Sequence, residues 1–456
     1  MYDIAIRNGK IIDLQQNRLL EKDIGIKNKK IEKIGFLSGD SKLTIDADGK
    51  YISPGFIDIH MHEEDYSLFP VRQGEKYDIS LCMLRMGVTT AVAGNCGNNR
   101  QPLEELIENI RHYRNPVHYM SYIGHNFLRT QAGRTDRYTG ADKNEIRKMQ
   151  LMVEQAIELG AIGISYGLEY CPGIDFEEAL AVAKPIFGRE DILLSAHYRK
   201  DGSFALESID EMVQLGRQAA VPFQISHLAS CSGFGNMRES LERIQSYVDQ
   251  GENIMADSYP YDAFSTYIGS SVFDEGCFEN WNSSYEAIVL TEEPFRGVRC
   301  TKEIFETARR EHPNMLAIVH VMNEEEIVEA IKHPLVLAAS DGIYRNNAGH
   351  PRGAGTFPRI LGKYCRDQKE LSLFDAVSKM TKLPAQRLRL SRKGQIIEGY
   401  DADLTIFDYK KIIDRASFDN PQLAPTGIDY VIIDGKIALQ SGEIVNPHLG
   451  QFISRQ

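Results

Sequence analysis

Eight short, nearly continuous apolar runs, separated by amphipathic segments, set what this chain can fold into. They are "ISPGFIDIH", "GVTTAVAGN", "PVHYMSYIGH", "AIGISYGLEY", "ILLSAHYR", "PFQISHLA", "NIMADSYPY" and "PLVLAASDG". Strands that are apolar along their whole length suit a parallel sheet covered by helices on both faces. The intervening segments keep helical spacing. Ile146, Met149, Val153 and Ile157 fall on one helix face, as do the apolar positions of "FDAVSKMTKLPAQRL" up to its proline. Such alternation predicts an α/β fold, a (β/α)8 barrel of the TIM type, which uses roughly 250 residues as one domain. The expected barrel spans residues 53–390. Residues from about 263 to 314, with the only tryptophan, Trp281, break the alternation. They are read as an insertion after the seventh strand, followed by an extra short strand, "MLAIVHVM".

The two ends of the chain are written differently from its middle. Residues 2–48 are short alternating runs ("YDIAIRNGKIID", "KDIGIKNKKIEKIG", "LTIDADGKY") separated by Asn, Gly and Asp turns. Alternation of this kind marks antiparallel strands and hairpins. It returns at the C-terminal end in "ADLTIFDY", "IDYVIIDGKIAL" and "GEIV". Neither end has strands enough for a sound sheet. Residues 1–52 and 391–456 are therefore expected to pair into one discontinuous β-sandwich domain.

Charge and composition exclude several kinds of partner. The net charge is −12 and no Lys/Arg block offers itself to phosphates, so nucleic acid is not an expected partner. No run reaches the roughly 20 apolar residues that a membrane span needs. The N-terminus alternates like a strand and has no signal-peptide pattern. Seven cysteines with no CxxC pair fit a reduced, cytoplasmic protein.

A barrel enzyme keeps its chemistry at the C-terminal ends of its strands. Here strand 1 ends in His60-Met61-His62, strand 2 in Cys96, strand 5 in His197, strand 6 in His227 and strand 8 in Asp341. Strand alternation sends His60 and His62 to the same side, which suits two ligands on one ion. A lone strand histidine is usually structural, and a lone buried cysteine is usually packing. Four histidines and a cysteine at successive strand ends are hard to produce by packing alone, so a metal centre is expected. His112, His118, His125, His312, His320, His333 and His448 lack such company and are read as structural, as are the other six cysteines.

With these residues in place, the chain resembles the amidohydrolase superfamily, through "PGFIDIHMH", "QISHLA", "AASDG", "GQIIEGYDADLTIFD" and "IDYVIIDGKI". Within it, "AGNCG", "GISYGLEYCPG", "ADSYPYDA" and "HPRGAGTFPRILGKYCR" resemble the D-aminoacylase group, the N-acyl-D-amino-acid deacylases. Many members of the superfamily bridge two metals with a carbamylated lysine after strand 4, yet "AIGISYGLEYCPG" holds no lysine. The resemblance implies that the Cys96 thiolate stands in its place. It implies a tight Zn2+ site of Cys96, His197 and His227, and a weaker second site of His60 and His62 sharing Cys96.

The resemblance also implies that Asp341 is general base and then acid, while metal-activated hydroxide attacks the amide. Arg352 pairs with the carboxylate of the substrate, and Tyr170 and Tyr261 line the pocket. Two departures bear on the substrate. The group's lysine after the strand-6 histidine is replaced by Ala229 in "HLAS", and an acidic position after strand 5 is taken by Lys200 in "HYRKDG". A cyclic-amide hydrolase of the dihydroorotase or hydantoinase type is the nearest alternative, and a non-catalytic binding protein on the same fold is another. Barrel hydrolases often associate, and the sequence leaves the oligomeric state open.

Overall fold

Parallel strands form the centre of the molecule, whose computed structural model describes residues 1–72 and 75–455. They are β1 (Phe56–Asp58), β2 (Val88–Ala93), β3 (His118–Ser121), β4 (Gly163–Gly167), β5 (Leu193–His197), β6 (Phe223–Ile225), β7 (Ile254–Ser258) and β8 (Val336–Ala338). β2 lies between β1 and β3, and β3 resumes after Tyr122 as Ile123–Gly124 to meet β4. From β4 to β8 each strand pairs in parallel with the next. Among all these strand residues only Met255 is not fully buried, which is why the runs show no alternation.

The barrel closes just past the ends of β1 and β8. Met61 bridges Gly342 in parallel, the Asp341 N–H donates to the His60 carbonyl at 2.8 Å, and the His62 N–H donates to the Gly342 carbonyl at 3.0 Å. The seam of the barrel thus passes through three of the candidate site residues.

Helices cover the outside. The helix Lys143–Glu158 starts with a capping box. The Asp142 side chain accepts from the Glu145 N–H at 2.9 Å, and the Glu145 carboxylate accepts from the Asp142 N–H at 2.8 Å. A cap of this kind is worth about 1 kcal/mol. Met149, Val153 and Ile157 are buried on its inner face, with Ile146 half-buried. In "FDAVSKMTKLPAQRL" the helix expected to run up to the proline breaks earlier, at Thr381. One helix, Leu373–Met380, ends at Thr381, and a second, Lys382–Arg387, takes Pro384 in its first turn, where a missing N–H costs nothing.

Strands from both ends of the chain form two further sheets. Tyr51–Pro54 lies between Lys10–Asp13 and Leu404–Phe407 in a seven-stranded sheet, so N- and C-terminal segments are direct neighbours. A four-stranded sheet has Tyr2–Arg7 between Asp23–Lys27 and Ser41–Asp46. Ile4, Ile6, Ile24, Ile26 and Ile45 of this sheet share one core with Ile11, Ile52, Leu404, Ile406 and Ile432 of the other. A β-sandwich built from both termini results. The segment after β7 makes its own antiparallel sheet, in which Leu316–Val319, the extra short strand of the sequence reading, lies centrally between Phe264–Tyr267 and Ile288–Leu290. Trp281 anchors that segment, its Nε1–H donating to Asp201 Oδ2 at 2.9 Å. Among the described residues no helix is long and apolar enough to cross a membrane.

Candidate metal centre and active site

Left-handed backbone turns point three of the candidate residues into the barrel mouth. Cys96 has φ 53°, His227 φ 32° and Asp341 φ 48°, each directly after or close to the end of its strand. Such a conformation costs a non-glycine residue about 1–3 kcal/mol and persists only where the surroundings enforce it. The "GNCG" turn shows how. At Gly97, φ is 75°, and a Cβ there would lie 2.5 Å from Asn126 Oδ1 and 2.6 Å from the Gly167 nitrogen. Nothing larger than glycine lets the turn sit against β4 while presenting the thiol.

Cys96 is the hub. Its Sγ lies 3.3 Å from His60 Nε2 and 3.3 Å from His227 Nε2, while His197 Nδ1 lies 2.9 Å from His227 Nε2. Two sets of donor atoms each fall within 4.8 Å of one another: Cys96, His197 and His227, and His60, His62, Cys96 and Asp341. Zinc–sulfur and zinc–nitrogen bonds of about 2.3 and 2.0 Å set neighbouring tetrahedral ligands about 3.5 Å apart, so the spacing fits a shared ion. Burial raises the pKa of the Cys96 thiol, but the His60 and His227 charges outweigh it and hold the thiol well below its usual range. A thiolate among imidazoles is a zinc-type donor set.

Three of the four imidazoles are steered by a partner on the other nitrogen. His197 Nε2 is 2.7 Å from Glu169 Oε2, His60 Nδ1 is 3.0 Å from Asp257 Oδ1, and His227 Nδ1 is 2.8 Å from Ser230 Oγ. Asp257 Oδ1 also accepts from the His227 backbone N–H at 2.8 Å, and Oδ2 accepts from Gln224 Nε2–H at 3.0 Å. These outer partners fix ring orientation and the nitrogen left free for an ion. The sequence reading missed Glu169, Asp257 and Ser230. Its signal was available for the two carboxylates, Glu169 just past the end of β4 in "GLEY" and Asp257 at the end of β7 in "ADSY".

Asp341 faces the same space. Its Oδ1 is 3.2 Å from His62 Nε2 and 3.4 Å from His60 Nε2, and its Oδ2 is 2.9 Å from Arg352 Nη1. Burial raises its carboxyl, yet the Arg352, His227 and His60 charges keep it well below the usual carboxylate range. Arg352 is itself buried, donates to the Ser265 carbonyl at 3.1 Å, and stacks its guanidinium 4.5 Å from the centre of the Tyr259 ring. His350, the one histidine left unassigned, accepts from the Arg352 N–H at 3.0 Å and so helps open the helix that carries it.

A cavity of about 460 Å³ opens over this cluster, lined by His62, Cys96, Tyr170, Asp341 and Arg352 among others. The Tyr170 ring lies 4.4 Å from that of His197. Tyr261 is not brought there. Its hydroxyl donates to Asp414 Oδ2 at 3.0 Å and its ring lies under Arg359, so it faces away from the cavity lining. Lys200 also turns aside, with its ammonium 4.8 Å from the centre of the Phe204 ring.

A family model for the amidohydrolase family matches residues 312–439. The D-aminoacylase of Alcaligenes xylosoxydans xylosoxydans is 30% identical over 484 aligned positions, covering 100% of this chain and 98% of that enzyme. The chain belongs to the D-aminoacylase group of the amidohydrolase family. A D-aminoacylase structure solved to study its binuclear metal centre, with one-metal activation and second-metal attenuation, superposes with a TM-score of 0.88, at 28% identity and with 100% of both chains covered. The N-acyl-D-glutamate deacylase of Bordetella bronchiseptica, solved with zinc and a phosphonate mimic of the tetrahedral intermediate, gives 0.87 at 27% identity, again over 100% of both chains.

Proposed function

We propose that the protein hydrolyses the amide bond of N-acyl-D-amino acids, releasing a carboxylic acid and a free D-amino acid. The observation that carries this reading is the convergence of the Cys96-centred donors, Asp341 and Arg352 on one cavity. Cys96, His197 and His227 would hold one Zn2+ tightly, and His60 and His62, sharing Cys96, a second more weakly. A zinc held there would supply activation of water near neutral pH and polarisation of the scissile carbonyl.

The chain's own residues do the rest. Arg352 offers a planar fork to the carboxylate beside the scissile amide, which fixes that end of the substrate. Tyr170, beside His197, walls the reacting carbonyl and keeps bulk water off it. Asp341, held ionised, accepts a proton from the attacking water and passes it to the departing amine nitrogen. Tyr261, turned to Asp414, has no part in this binding set. Residues 53–390 carry the chemistry, with residues 1–52 and 391–456 bracing the barrel from outside. A ligand thiolate and unpaired cysteines suit a reducing, cytoplasmic setting.

The test is a panel of N-acetyl-D-amino acids, their L enantiomers, hydantoin and dihydroorotate, offered to zinc-loaded protein with released amine or ring-opened acid followed. Turnover confined to D substrates is expected. Turnover of cyclic amides alone, or of L substrates, would overturn the substrate while leaving the metal centre in place.

A further inference from the structure

We propose that the cavity selects substrates with two anionic groups, one carboxylate at Arg352 and a second anion at Arg100 and Arg137. This deepens the deacylase reading of the site and rests on it. The second anion is a carboxylate carried either on the amino-acid side chain or on the acyl arm.

The chain is acidic overall, with a net charge of −12, yet its cavity wall is cationic. Arg100, Arg129, Arg134, Arg137 and Arg352 reach the cavity, against the carboxylates Glu63 and Asp341. Both carboxylates are already engaged. Asp341 pairs with Arg352, and Glu63 accepts from the backbone N–H groups of Arg100 at 2.8 Å and Gly94 at 3.2 Å. Two more of the arginines serve the fold. Arg129 is buried and ion-paired with Glu178, and Arg134 forks onto Glu145 Oε2 at 3.0 and 2.8 Å.

Arg100 and Arg137 are held differently. Arg100 Nε–H donates to the Glu63 carbonyl at 2.7 Å, and the nearest carboxylate oxygen, on Asp65, is 3.9 Å from its Nη1, beyond hydrogen-bond reach. Arg137 Nη1 donates to the Gly269 carbonyl at 3.1 Å, and among the described residues no carboxylate ion-pairs with it. A guanidinium has five N–H donors, so tethering by one backbone carbonyl orients each group and leaves most of its donors free. Both line the cavity together with Tyr267 and Gly269, and Gly269 anchors Arg137. Arg100 has carboxylates around it, Asp65 at 3.9 Å and Glu63 and Asp78 near enough to act on its charge, but none of them takes a hydrogen bond from its guanidinium. Two oriented guanidiniums at a cavity edge, neither hydrogen-bonded to a carboxylate, are a receptor for a carboxylate or similar oxyanion. Both come from the β2 and β3 side, whereas Arg352 comes from the β8 side, so a substrate held at Arg352 has its second anion met separately. Ala229 and the averted Lys200 leave Arg352 to take the first carboxylate, so the edge arginines remain for another group.

Equilibrium calorimetry on the zinc-loaded full chain carrying Asp341→Asn, which is expected to keep zinc but not turn the ligands over, tests this with isosteric pairs. N-acetyl-D-glutamate is compared with N-acetyl-D-glutamine, and N-succinyl-D-alanine with its neutral succinamoyl counterpart. One dianion is expected to bind about ten- to hundredfold tighter than its neutral partner, the range of charge-assisted hydrogen bonds, and the pair that responds identifies the arm. In the Arg100→Gln/Arg137→Gln double variant of that chain, the ratio should fall close to one. The ratio is taken within each protein, so it does not depend on how much of the variant is folded. Equal binding within both pairs, or a ratio that survives the double substitution, overturns the proposal. Hydrolysis by the wild-type chain, followed in parallel, separates the two readings. Absence of turnover on every D substrate sinks the deacylase assignment, while the binding ratio still decides the second-anion site.

Discussion

Arg352 Nη1 sits 2.9 Å from Asp341 Oδ2, with both side chains buried. The group proposed to bind the substrate carboxylate therefore also keeps the proposed proton carrier ionised. Arg352→Lys preserves the charge but loses the flat two-pronged donor. It should raise KM about ten- to hundredfold and lower kcat less, read from steady-state kinetics on a D substrate. A kcat loss with KM unchanged would place Arg352 outside carboxylate binding.

Asp341→Asn removes the proton acceptor and keeps the side chain's size. General acid–base groups contribute about 10²- to 10⁴-fold, and a loss of that order in kcat is expected. The tight donor set of Cys96, His197 and His227 does not include Asp341, so one zinc equivalent per chain should remain by atomic emission. An Asn variant with near-native turnover removes Asp341 from this role.

Both candidate ion sites pass through Cys96, which makes the ligands unequal. Cys96→Ala should abolish retention of any metal after dialysis against chelator, whereas His62→Ala should still retain one equivalent. Asp257→Ala removes the acceptor shared by His60 Nδ1 and the His227 N–H, and loss of an outer partner typically weakens metal affinity about 10- to 100-fold. Equal metal retention in the Cys96 and His62 variants would contradict a shared thiolate.

The fold was legible because it is written in period and register. Fully buried β strands lose alternation, and the sandwich strands keep it, so the two architectures separate along the chain without any long-range information. The ligand types were legible because barrels present them at strand ends. What stayed hidden depends on side-chain direction. Tyr261 sits in a motif that suggests the pocket, yet its hydroxyl turns to Asp414, which lies far along the chain and has no periodic signal. Glu169 and Asp257 look like ordinary strand-end carboxylates until the imidazoles that need them are seen 2.7 and 3.0 Å away. Arg100 and Arg137 lie in irregular segments where spacing says nothing about which cavity a side chain reaches.

The wall that carries Arg137 depends on one buried ion pair. Arg129 Nη2 donates to the carbonyls of Asp136 at 3.2 Å and Thr139 at 2.5 Å, while its partner Glu178 accepts from the Ala141 N–H at 2.7 Å. Burial raises the Glu178 carboxyl, but the His125 imidazole 3.3 Å away and hydrogen bonds from Arg129 and Ala141 outweigh it, leaving its pKa at about 2. A carboxyl whose folded value lies below its unfolded value stabilises fully above the unfolded value. That contribution is then lost as the pH falls from the ordinary glutamate range towards about 2. The loss on this account is up to about 3 kcal/mol, at 1.36 kcal/mol per unit. Urea unfolding followed between pH 7 and 2 should show that acid limb in the wild type. In Glu178→Gln the limb should be shallower, from a lower starting stability, because the buried Arg129 loses its counter-charge. Cleavage of the 134–141 segment by a protease at neutral pH should also quicken in the variant. An acid limb of unchanged slope would show that Glu178 does not hold this wall by its charge.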